Sequence, residues 1–274
     1  MSGFEVTLQR VRRLSSSTLD FRFARTDGHN VDFEPGQFFR FTFRDEKGAF
    51  ERSYSLCNYG NDVHGSPFLD LVISWVDGGR ASQYLFNCEP GIKATVTGPY
   101  GRLVLPEPMP RRLFLVATSV GIAPFMPMLT RLAKVIDEGE TEVHFFFGVR
   151  SPEEFIYEQL LTRYMGVHPG FQLTLCYSRE MPKVPRAFER RGYVQDAIAT
   201  MPLDPADDRF LLCGNPAMID DVFAALKERG FTGKQVVREK YVYARETGAV
   251  KVKAMTQAQR KLLAEKTKKY KTST

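Results

Sequence analysis

The sequence has few cysteines and no cluster of them. Its 274 residues include four, at positions 57, 88, 176 and 213. Their spacings of 31, 88 and 37 residues match neither a zinc site nor an iron–sulfur motif. The four histidines, at 29, 64, 144 and 168, are equally scattered. We therefore expect no metal site, and we expect reduced thiols that mostly pack as small buried side chains.

Long hydrophobic runs are absent as well. No segment approaches the roughly 20 consecutive apolar residues of a membrane span. The N-terminal segment MSGFEVTLQRVRRLSSS lacks the apolar stretch of a signal peptide. Gly and Pro occur at ordinary frequencies, which excludes collagen-like and low-complexity chains. The sequence therefore predicts a cytoplasmic globular protein without a membrane span.

The positive charge is confined to one end of the chain. The net charge is +6, but residues 245–274 carry nine basic and two acidic side chains, which leaves residues 1–244 at −1. A basic patch on the body of the protein is therefore not expected, and neither is nucleic-acid binding there. Residues 256–269 could form a basic amphipathic helix.

The first hundred residues are typical of β-strands separated by turns. Residues 19–23 and 39–44 alternate apolar and polar side chains, and turn-forming residues at 27–30 and 34–36 lie between such segments. The segment 52–55 is predicted to begin another strand, after a loop. This pattern indicates an antiparallel β-barrel or sandwich.

Three prolines within residues 106–110 predict a stiff linker, and strands then alternate with helices. Strands are predicted at 113–117, 142–149, 171–177, 209–213 and 235–242, and helices at 124–135, 153–164, 193–199 and 217–230. This order predicts a parallel sheet with helices on both faces. The expected domains are an antiparallel β-barrel (1–108), an α/β parallel-sheet domain (109–244) and a basic extension (245–274).

Two motifs in the first half suit the binding of a phosphorylated, planar ligand. The first is Arg52, Ser53, Tyr54 and Ser55; the second is Gly79, Arg80, Ala81 and Ser82 at a predicted helix start. A guanidinium suits phosphate, an aromatic face suits a flat ring, and a glycine-rich turn exposes N–H groups.

The motifs of the second half fall at the carboxyl ends of predicted strands, where parallel sheets bind ligands. They comprise Thr118, Gly121, Ile122, Ala123 and Pro124; Ser178 and Arg179; Arg191, Tyr193 and Gln195; Cys213, Gly214, Asn215 and Pro216; and Glu239 and Tyr241.

In their order, these motifs resemble those of the ferredoxin/flavodoxin–NADP⁺ reductase family over residues 4–244. The resemblance implies FAD and NADP(H) as cofactors. It implies that Arg52 binds the FAD pyrophosphate and that Tyr54 stacks on the isoalloxazine. Ser55 would hydrogen-bond near flavin N5, and residues 79–82 would cradle the phosphates.

The same resemblance assigns the nucleotide site. Residues 116–125 look like the family's nucleotide loop, with Ser119 and Val120 where glycine and threonine are usual. Residues 213–216 would lie against the nicotinamide, and residues 178, 179, 191, 193 and 195 would hold the 2′-phosphate and adenine. Glu239 would lie near Ser55, and Tyr241 would cover the flavin. The implied catalytic residues are Ser55, Cys213, Glu239 and Tyr241.

The expected activity is electron transfer between NADPH and a separate acidic one-electron carrier, ferredoxin or flavodoxin, with hydride transfer at flavin N5. The carrier would dock where the flavin edge meets the domain cleft, and the basic extension would contribute. An alternative is the NAD(P)H-dependent reductase component of a multicomponent oxygenase. A third hypothesis is a binding module without diaphorase activity. The sequence predicts no oligomeric state.

Overall fold

The first half of the protein forms one antiparallel sheet. The computed structural model describes residues 3–241. The strands are β1 (Phe4–Arg13), β2 (Thr18–Arg25), β3 (Phe38–Asp45), β4 (Gly48–Ser55), β5 (Phe68–Ser74) and β6 (Lys93–Tyr100). They pair in the order β4-β3-β6-β1-β2-β5, each antiparallel to its neighbours. A short helix, α1 (Arg80–Leu85), lies between β5 and β6.

This sheet curls around an aromatic core. The ring of Phe23 on β2 lies 5.4 Å from that of Phe41 and 6.2 Å from that of Phe43, both on β3. Two strands separate β2 from β3 in the sheet, so these contacts require the sheet to bend back on itself. Burial of each ring stabilises the fold by about 1.5–3 kcal/mol. The alternation seen in the sequence thus corresponds to an inward-facing aromatic row.

The second half is a parallel sheet with helices on both faces. Its strands are β7 (Arg112–Thr118), β8 (Glu142–Val149), β9 (Phe171–Tyr177), β10 (Glu189–Arg191), β11 (Asp208–Gly214) and β12 (Val236–Lys240). Its helices are α2 (Phe125–Asp137), α3 (Glu158–Val167), α4 (Val194–Ala199) and α5 (Pro216–Glu228). The strand order is β10-β9-β8-β7-β11-β12, all parallel. The predicted fold class is confirmed.

The strand order reverses between β7 and β11. The chain runs outward from β7 through β8, β9 and β10, and then returns to place β11 on the other side of β7. The helices that follow β7 and β11 therefore pack on opposite faces of the sheet. Ligands of open parallel sheets bind at the carboxyl ends of the strands, at such a reversal of strand order.

The two halves contact one another. Cys57 and Val72 of the first half belong to the same hydrophobic cluster as the core of the second half. The Gly60 N–H donates to Thr130 Oγ1 at 3.0 Å, and the Tyr157 hydroxyl donates to Cys57 Sγ at 3.4 Å. Along the chain, the proline-rich segment at 106–110 separates the strands of the first sheet from those of the second. We keep domain boundaries near 108 and 244 as a proposal.

The Arg-Ser-Tyr-Ser segment ends a strand, whereas the sequence predicted that it begins one. The strand β4 already starts at Gly48, within the predicted loop. A tight turn is the reason: the Lys47 N–H donates to the Asp45 carboxylate at 2.8 Å, and Phe43 pairs with Phe50 just beyond it.

The helix predicted at 153–164 is divided. A one-turn 3-10 helix occupies Pro152–Glu154, and α3 begins only at Glu158. Between them Tyr157 has a φ of 59°, in the left-handed region, where its hydroxyl reaches Cys57 of the other half. A tertiary contact thus overrides helix propensity here. Neither β1 nor the three-residue β10 is among the strands predicted from the sequence.

The second half of the protein contains a long apolar helical segment. Among the described residues, Ser119–Asp137 is long and apolar enough to cross a membrane by length and composition, and 67% of its most apolar window is buried inside the fold. That burial is typical of a core helix. The basic helix predicted at 256–269, and the whole extension from residue 242, lie outside the described residues.

Candidate active site and cofactor-binding residues

A serine and a glutamate join the two halves of the protein. Ser55 is the last residue of β4 and Glu239 lies on β12, 184 positions later. The Ser55 hydroxyl donates to Glu239 Oε1 at 3.0 Å. Burial raises the pKa of Glu239, and the hydrogen bond from Ser55 lowers it, with burial the larger effect. The pair can therefore hold or move a proton where the two sheets meet.

Cys213 and Tyr241 complete this cluster. Cys213 lies directly opposite Glu239 in the β11–β12 pairing and is fully buried. Tyr241, half-buried, packs against the hydrophobic cluster that contains Cys213, and its N–H donates to the Gly214 carbonyl at 2.9 Å. The structure thus brings the four expected catalytic residues together. Burial raises the pKa of the Cys213 thiol well above its ordinary value, so this group stays protonated.

Two glycines allow the loops after β7 and β11 to touch. A Cβ on Gly121 would lie 2.4 Å from the Cys213 carbonyl oxygen, and a Cβ on Gly214, which has a φ of 131°, would lie 2.4 Å from Thr118 Oγ1. That hydroxyl oxygen accepts a hydrogen bond from the Asn215 N–H at 2.9 Å. Thr118 therefore braces the turn at residues 213–216.

Several other residues of these two motifs shape the loops from inside. Ile122, Ala123 and Pro124 are buried, so these residues contribute to the site by packing beneath the loop. Asn215 caps α5, its side-chain oxygen accepting from the Ala217 N–H at 2.8 Å, and Pro216 occupies the first helical turn. These residues hold the loops in place.

Ser119 occupies a backbone conformation that favours glycine. Its φ is 52°, it is exposed, and its hydroxyl lies 3.4 Å from that of Ser74 at the end of β5. Serine in place of the usual glycine therefore strains the backbone here, because a side chain in the left-handed region raises the free energy of the folded state by roughly 1–2 kcal/mol.

Ser119→Gly is expected to raise the free energy of unfolding by about 1 kcal/mol, since relief of this strain outweighs the long hydroxyl contact. Urea unfolding of the FAD-bound protein measures it. Ser119→Ala, the matched control, keeps the Cβ and should give no gain. Equal stability of all three proteins would contradict the strain at this position.

On the first half, Arg52 and Tyr54 lie on one face of β4, and Ser53, exposed, on the other. The Arg52 guanidinium lies 5.8 Å from the Phe50 ring centroid, and one of its nitrogens donates to the Glu51 carbonyl at 2.7 Å. Tyr54 is half-buried, with its ring edge-on to a core phenylalanine. Strand alternation thus brings a cation and an aromatic face to one side.

The glycine-rich turn before α1 is held by its own serine. Gly79 is the N-cap of α1, and a Cβ there would come within 3.1 Å of the Val76 carbonyl oxygen. Ser82 Oγ accepts from the Val76 N–H at 2.9 Å, and both Ser82 and Ala81 are buried. Arg80 pairs with Asp45. The predicted phosphate turn is therefore already ordered by internal contacts.

The predicted 2′-phosphate residues gather beyond β9 and β10. Arg191, at the end of β10, pairs in register with Tyr177, which immediately precedes Ser178 and Arg179. Both arginines are exposed, and neither forms an ion pair within residues 3–241. Tyr193, the N-cap of α4, is 58% exposed. Two uncompensated cations beside an exposed ring suit a nucleotide phosphate.

Gln195 gives an independent indication of a missing ligand. Its Oε1 atom is buried and has no hydrogen-bond partner among the described residues, and its Nε2 lies 3.4 Å from Asp221 Oδ2. A buried amide oxygen without a partner is costly. The orphaned atom, together with the exposed arginines and tyrosine, fits a dinucleotide.

The comparisons with known proteins agree with this geometry. Residues 5–105 match the oxidoreductase FAD-binding domain, and residues 115–223 match the oxidoreductase NAD-binding domain. Ferredoxin–NADP reductase B of Sorangium cellulosum is 31% identical over 246 residues, which covers 87% of this chain and 97% of that protein. The chain belongs to the ferredoxin–NADP reductase family. The resemblance of the motifs is thereby confirmed, as are the predicted cofactors, FAD and NADP(H), at the level of an FAD-binding and an NAD(P)-binding domain.

Relatives within this family differ in their names. The electron transfer component of toluate 1,2-dioxygenase from Pseudomonas putida is 26% identical and covers 88% of this chain and 68% of that protein. The solved ferredoxin NADP⁺ reductase from Neisseria gonorrhoeae, with bound FAD and NADP, has a TM-score of 0.75 at 22% identity, covering 88% of this chain and 99% of that one. The latter likeness shows the shared fold. The protein is an FAD- and NAD(P)-binding oxidoreductase.

Sequence reasoning missed one residue next to the site, Asp45. A local signal existed for the turn that it caps, Asp-Glu-Lys-Gly at residues 45–48, but none for its contact with Arg80, which lies 35 positions away. In the described part of the chain no group of three metal-ligating side chains occurs.

Proposed function

We propose that this reductase oxidises NADPH through FAD and passes the electrons singly to a separate ferredoxin or flavodoxin in the cytoplasm. The observation that carries the proposal is the Ser55–Glu239 hydrogen bond, because it places a polar, proton-holding pair where the FAD-binding and NAD(P)-binding halves meet. The ferredoxin–NADP reductase name of the Sorangium relative supports the choice of carrier.

Bound FAD would supply the chemistry of accepting a hydride and releasing single electrons. The chain supplies binding: the Arg52 guanidinium holds the pyrophosphate through charge-assisted hydrogen bonds, and the Tyr54 ring packs against the isoalloxazine. Ser53 and residues 79–82 contribute backbone and hydroxyl contacts. The shared face of Arg52 and Tyr54 on β4 supports the roles proposed for these two residues.

Ser55 and Glu239 act on protons. Because the Ser55 proton is donated to Glu239, the serine oxygen presents its lone pairs and suits an N–H donor such as N5 of a reduced flavin. Glu239, with its raised pKa, then accepts or returns a proton more readily than an exposed carboxylate. Cys213 stays a neutral thiol. Because it is fully buried, its proposed contact with the nicotinamide requires Tyr241, which packs against the same cluster, to move aside.

NADPH is proposed as the preferred donor, with Arg179 and Arg191 holding the 2′-phosphate. Arg179→Ala should raise the KM for NADPH about tenfold and leave that for NADH nearly unchanged, because it removes one charged hydrogen-bond partner of a group that NADH lacks. Steady-state kinetics with both nucleotides measure this. Arg190→Ala is the matched control, since strand alternation directs that side chain to the opposite face of β10. Equal use of NADPH and NADH by the wild type would contradict the proposed preference.

Tyr241 is proposed to cover the flavin face that the nicotinamide must occupy, and to move aside for hydride transfer. Tyr241→Ser should therefore tighten binding of both nucleotides and reduce the discrimination between NADPH and NADH. Difference spectra of the flavin during titration with NADP⁺ and NAD⁺ report both effects. Unchanged affinity, selectivity and flavin spectrum would instead limit Tyr241 to its packing against the cluster that contains Cys213.

An oxygenase reductase is the second candidate function. It is favoured by the relatives named as electron transfer or reductase components of dioxygenases and monooxygenases, at 23–29% identity. NADH preference and reduction of an oxygenase partner distinguish it from the first candidate.

Reduction of the source organism's own ferredoxins and flavodoxins, with NADPH and NADH compared, tests the proposal. We expect turnover with at least one of these carriers and a higher kcat/KM with NADPH. Turnover only with an oxygenase-linked partner, or with no one-electron carrier, would overturn it. The proposed contribution of the basic extension to carrier docking is tested by deletion of residues 249–274, which should raise the carrier KM at low salt.

A further inference from the structure

A bidentate ion pair beside the proposed FAD site links β3 to α1. Asp45 is the last residue of β3 and Arg80 is the first of α1. Arg80 Nε lies 2.9 Å from Asp45 Oδ2, and Arg80 Nη2 lies 2.6 Å from Asp45 Oδ1. The guanidinium and carboxylate therefore meet side by side, in the bidentate geometry that restricts orientation as well as distance. Both side chains are less than one fifth exposed.

Further contacts restrain each partner of this pair. Arg80 Nη2 also donates to the Gly48 carbonyl at 2.9 Å, and the guanidinium carbon lies 4.7 Å from the Phe50 ring centroid. The Asp45 carboxylate accepts from the Lys47 N–H at 2.8 Å. One carboxylate thus closes the β3–β4 turn and, at the same time, fixes the arginine at the start of α1.

The Phe50 ring also brings a second arginine, Arg52, close to Arg80. Phe50 is buried under the side chains of Arg52 and Arg80, whose guanidinium carbons lie 5.8 and 4.7 Å from its centroid. Arg52 and Arg80 belong to different motifs and are brought together by this aromatic platform. Its position depends on the hairpin turn that Asp45 caps.

A carboxylate so close to a phosphate-binding arginine can compete with the phosphate or can prepare the arginine for it. The geometry favours preparation. Arg80 is restrained on three sides, by Asp45, Gly48 and Phe50, so its side chain is ordered without a ligand. A flexible arginine would lose its rotamer freedom on binding, and an ordered one has lost it already. The hydrogen bonds from Arg80 also lower the pKa of Asp45 to about 2, so the carboxylate remains charged at neutral pH.

We propose that Asp45 is a positioning residue for FAD: it holds Arg80 against Phe50, beside Arg52, in the arrangement that receives the cofactor's phosphates. The inference rests on the proposed role of Arg52 and Arg80 in FAD binding. In this role Asp45 acts through Arg80, the residue with which it pairs.

The test is FAD binding to apoprotein freed of flavin, followed by quenching of flavin fluorescence. Asp45→Asn should raise the Kd for FAD about tenfold, because the neutral amide holds Arg80 less firmly. The affinity for riboflavin, which has no phosphate, should stay unchanged. Asp45→Glu should restore part of the FAD affinity. In an Arg80→Ala background, Asp45→Asn should have no further effect, since the two residues act as one unit.

A matched control exists on the same sheet. Asp27 forms an equivalent bidentate pair with Arg25, at 2.9 and 2.6 Å, and its pKa is likewise lowered to about 2 by that arginine. Asp27→Asn makes the same change of charge away from the phosphate turn and should leave the Kd for FAD unchanged.

Three results would overturn the inference: FAD binding by Asp45→Asn that is as tight as or tighter than in the wild type, an equal loss for riboflavin, or an equal loss in Asp27→Asn. Tighter binding would identify Asp45 as a competitor of the phosphate. Should Asp45→Asn fail to fold, Arg80→Lys, which keeps the charge but loses the bidentate geometry, must show the same selective loss for FAD. The proposed function is tested separately on the wild type. If the wild type is yellow and reduces its carrier, any of these three results contradicts the role of Asp45 alone.

Discussion

Gly121→Ala is expected to destabilise the protein by about 3 kcal/mol and to abolish flavin reduction by NADPH. The added Cβ would lie 2.4 Å from the Cys213 carbonyl oxygen and 2.7 Å from the Gly214 Cα, and both are backbone atoms that cannot rotate away. The two loops must then separate, which moves Cys213 away from Ser55 and Tyr241. Urea unfolding and stopped-flow reduction of the flavin measure the two effects.

Gly166→Ala is the matched control for this change. Gly166 lies within α3, and a Cβ there meets nothing within 4 Å. Alanine in place of glycine inside a helix should stabilise the protein by roughly 0.5–1 kcal/mol without altering reduction by NADPH. A Gly121→Ala variant with wild-type stability and wild-type reduction rate would show that the loops after β7 and β11 need not touch.

Ser55→Ala is expected to slow flavin reduction by NADPH about a hundredfold, because it removes the hydrogen-bonding group proposed to lie at flavin N5. The pH profile should change as well. In the wild type, the rate should fall as pH drops through the raised pKa of Glu239, because a protonated carboxyl no longer accepts the Ser55 proton. Ser55→Ala leaves no Ser55 proton for the carboxylate to accept, so the break in the profile should be lost. Stopped-flow reduction across the pH range measures both changes.

Glu239→Gln provides the second half of this test. It should remove the break altogether, since the amide does not titrate. The stability of the protein should respond to pH in the opposite direction to its activity. Because folding raises the pKa of this carboxyl, the protein loses stability as the pH rises from the ordinary pKa of a glutamate through the raised one. Glu239→Gln should therefore remove this loss at neutral pH. Glu51→Gln, an exposed carboxylate on β4, is the control, and an unchanged break in Glu239→Gln would assign it to another group.

Features of the fold that depend on neighbouring residues could be predicted from the sequence. Features that depend on residues far apart in the chain could not. The aromatic alternation on β3 depends on neighbouring residues, and it predicted the strand that the structure contains. The alternation of strands and helices after the proline-rich segment predicted the parallel sheet in the same way. The sequence shows that serine stands at position 119, where glycine is usual in the family. It does not show that this residue has a φ of 52°.

The sequence by itself determined the two sheet types and the order of the motifs, because periodicity and motif spacing are local properties of the chain. Only the tertiary structure decided which distant groups meet: Ser55 with Glu239, Arg80 with Asp45, and Tyr157 with Cys57. The physical reason is that these contacts form between elements whose relative placement depends on how the two sheets curl and pack. Neither alternation nor propensity within one segment contains that information, so the partner of each buried polar group appears only when the whole chain is folded.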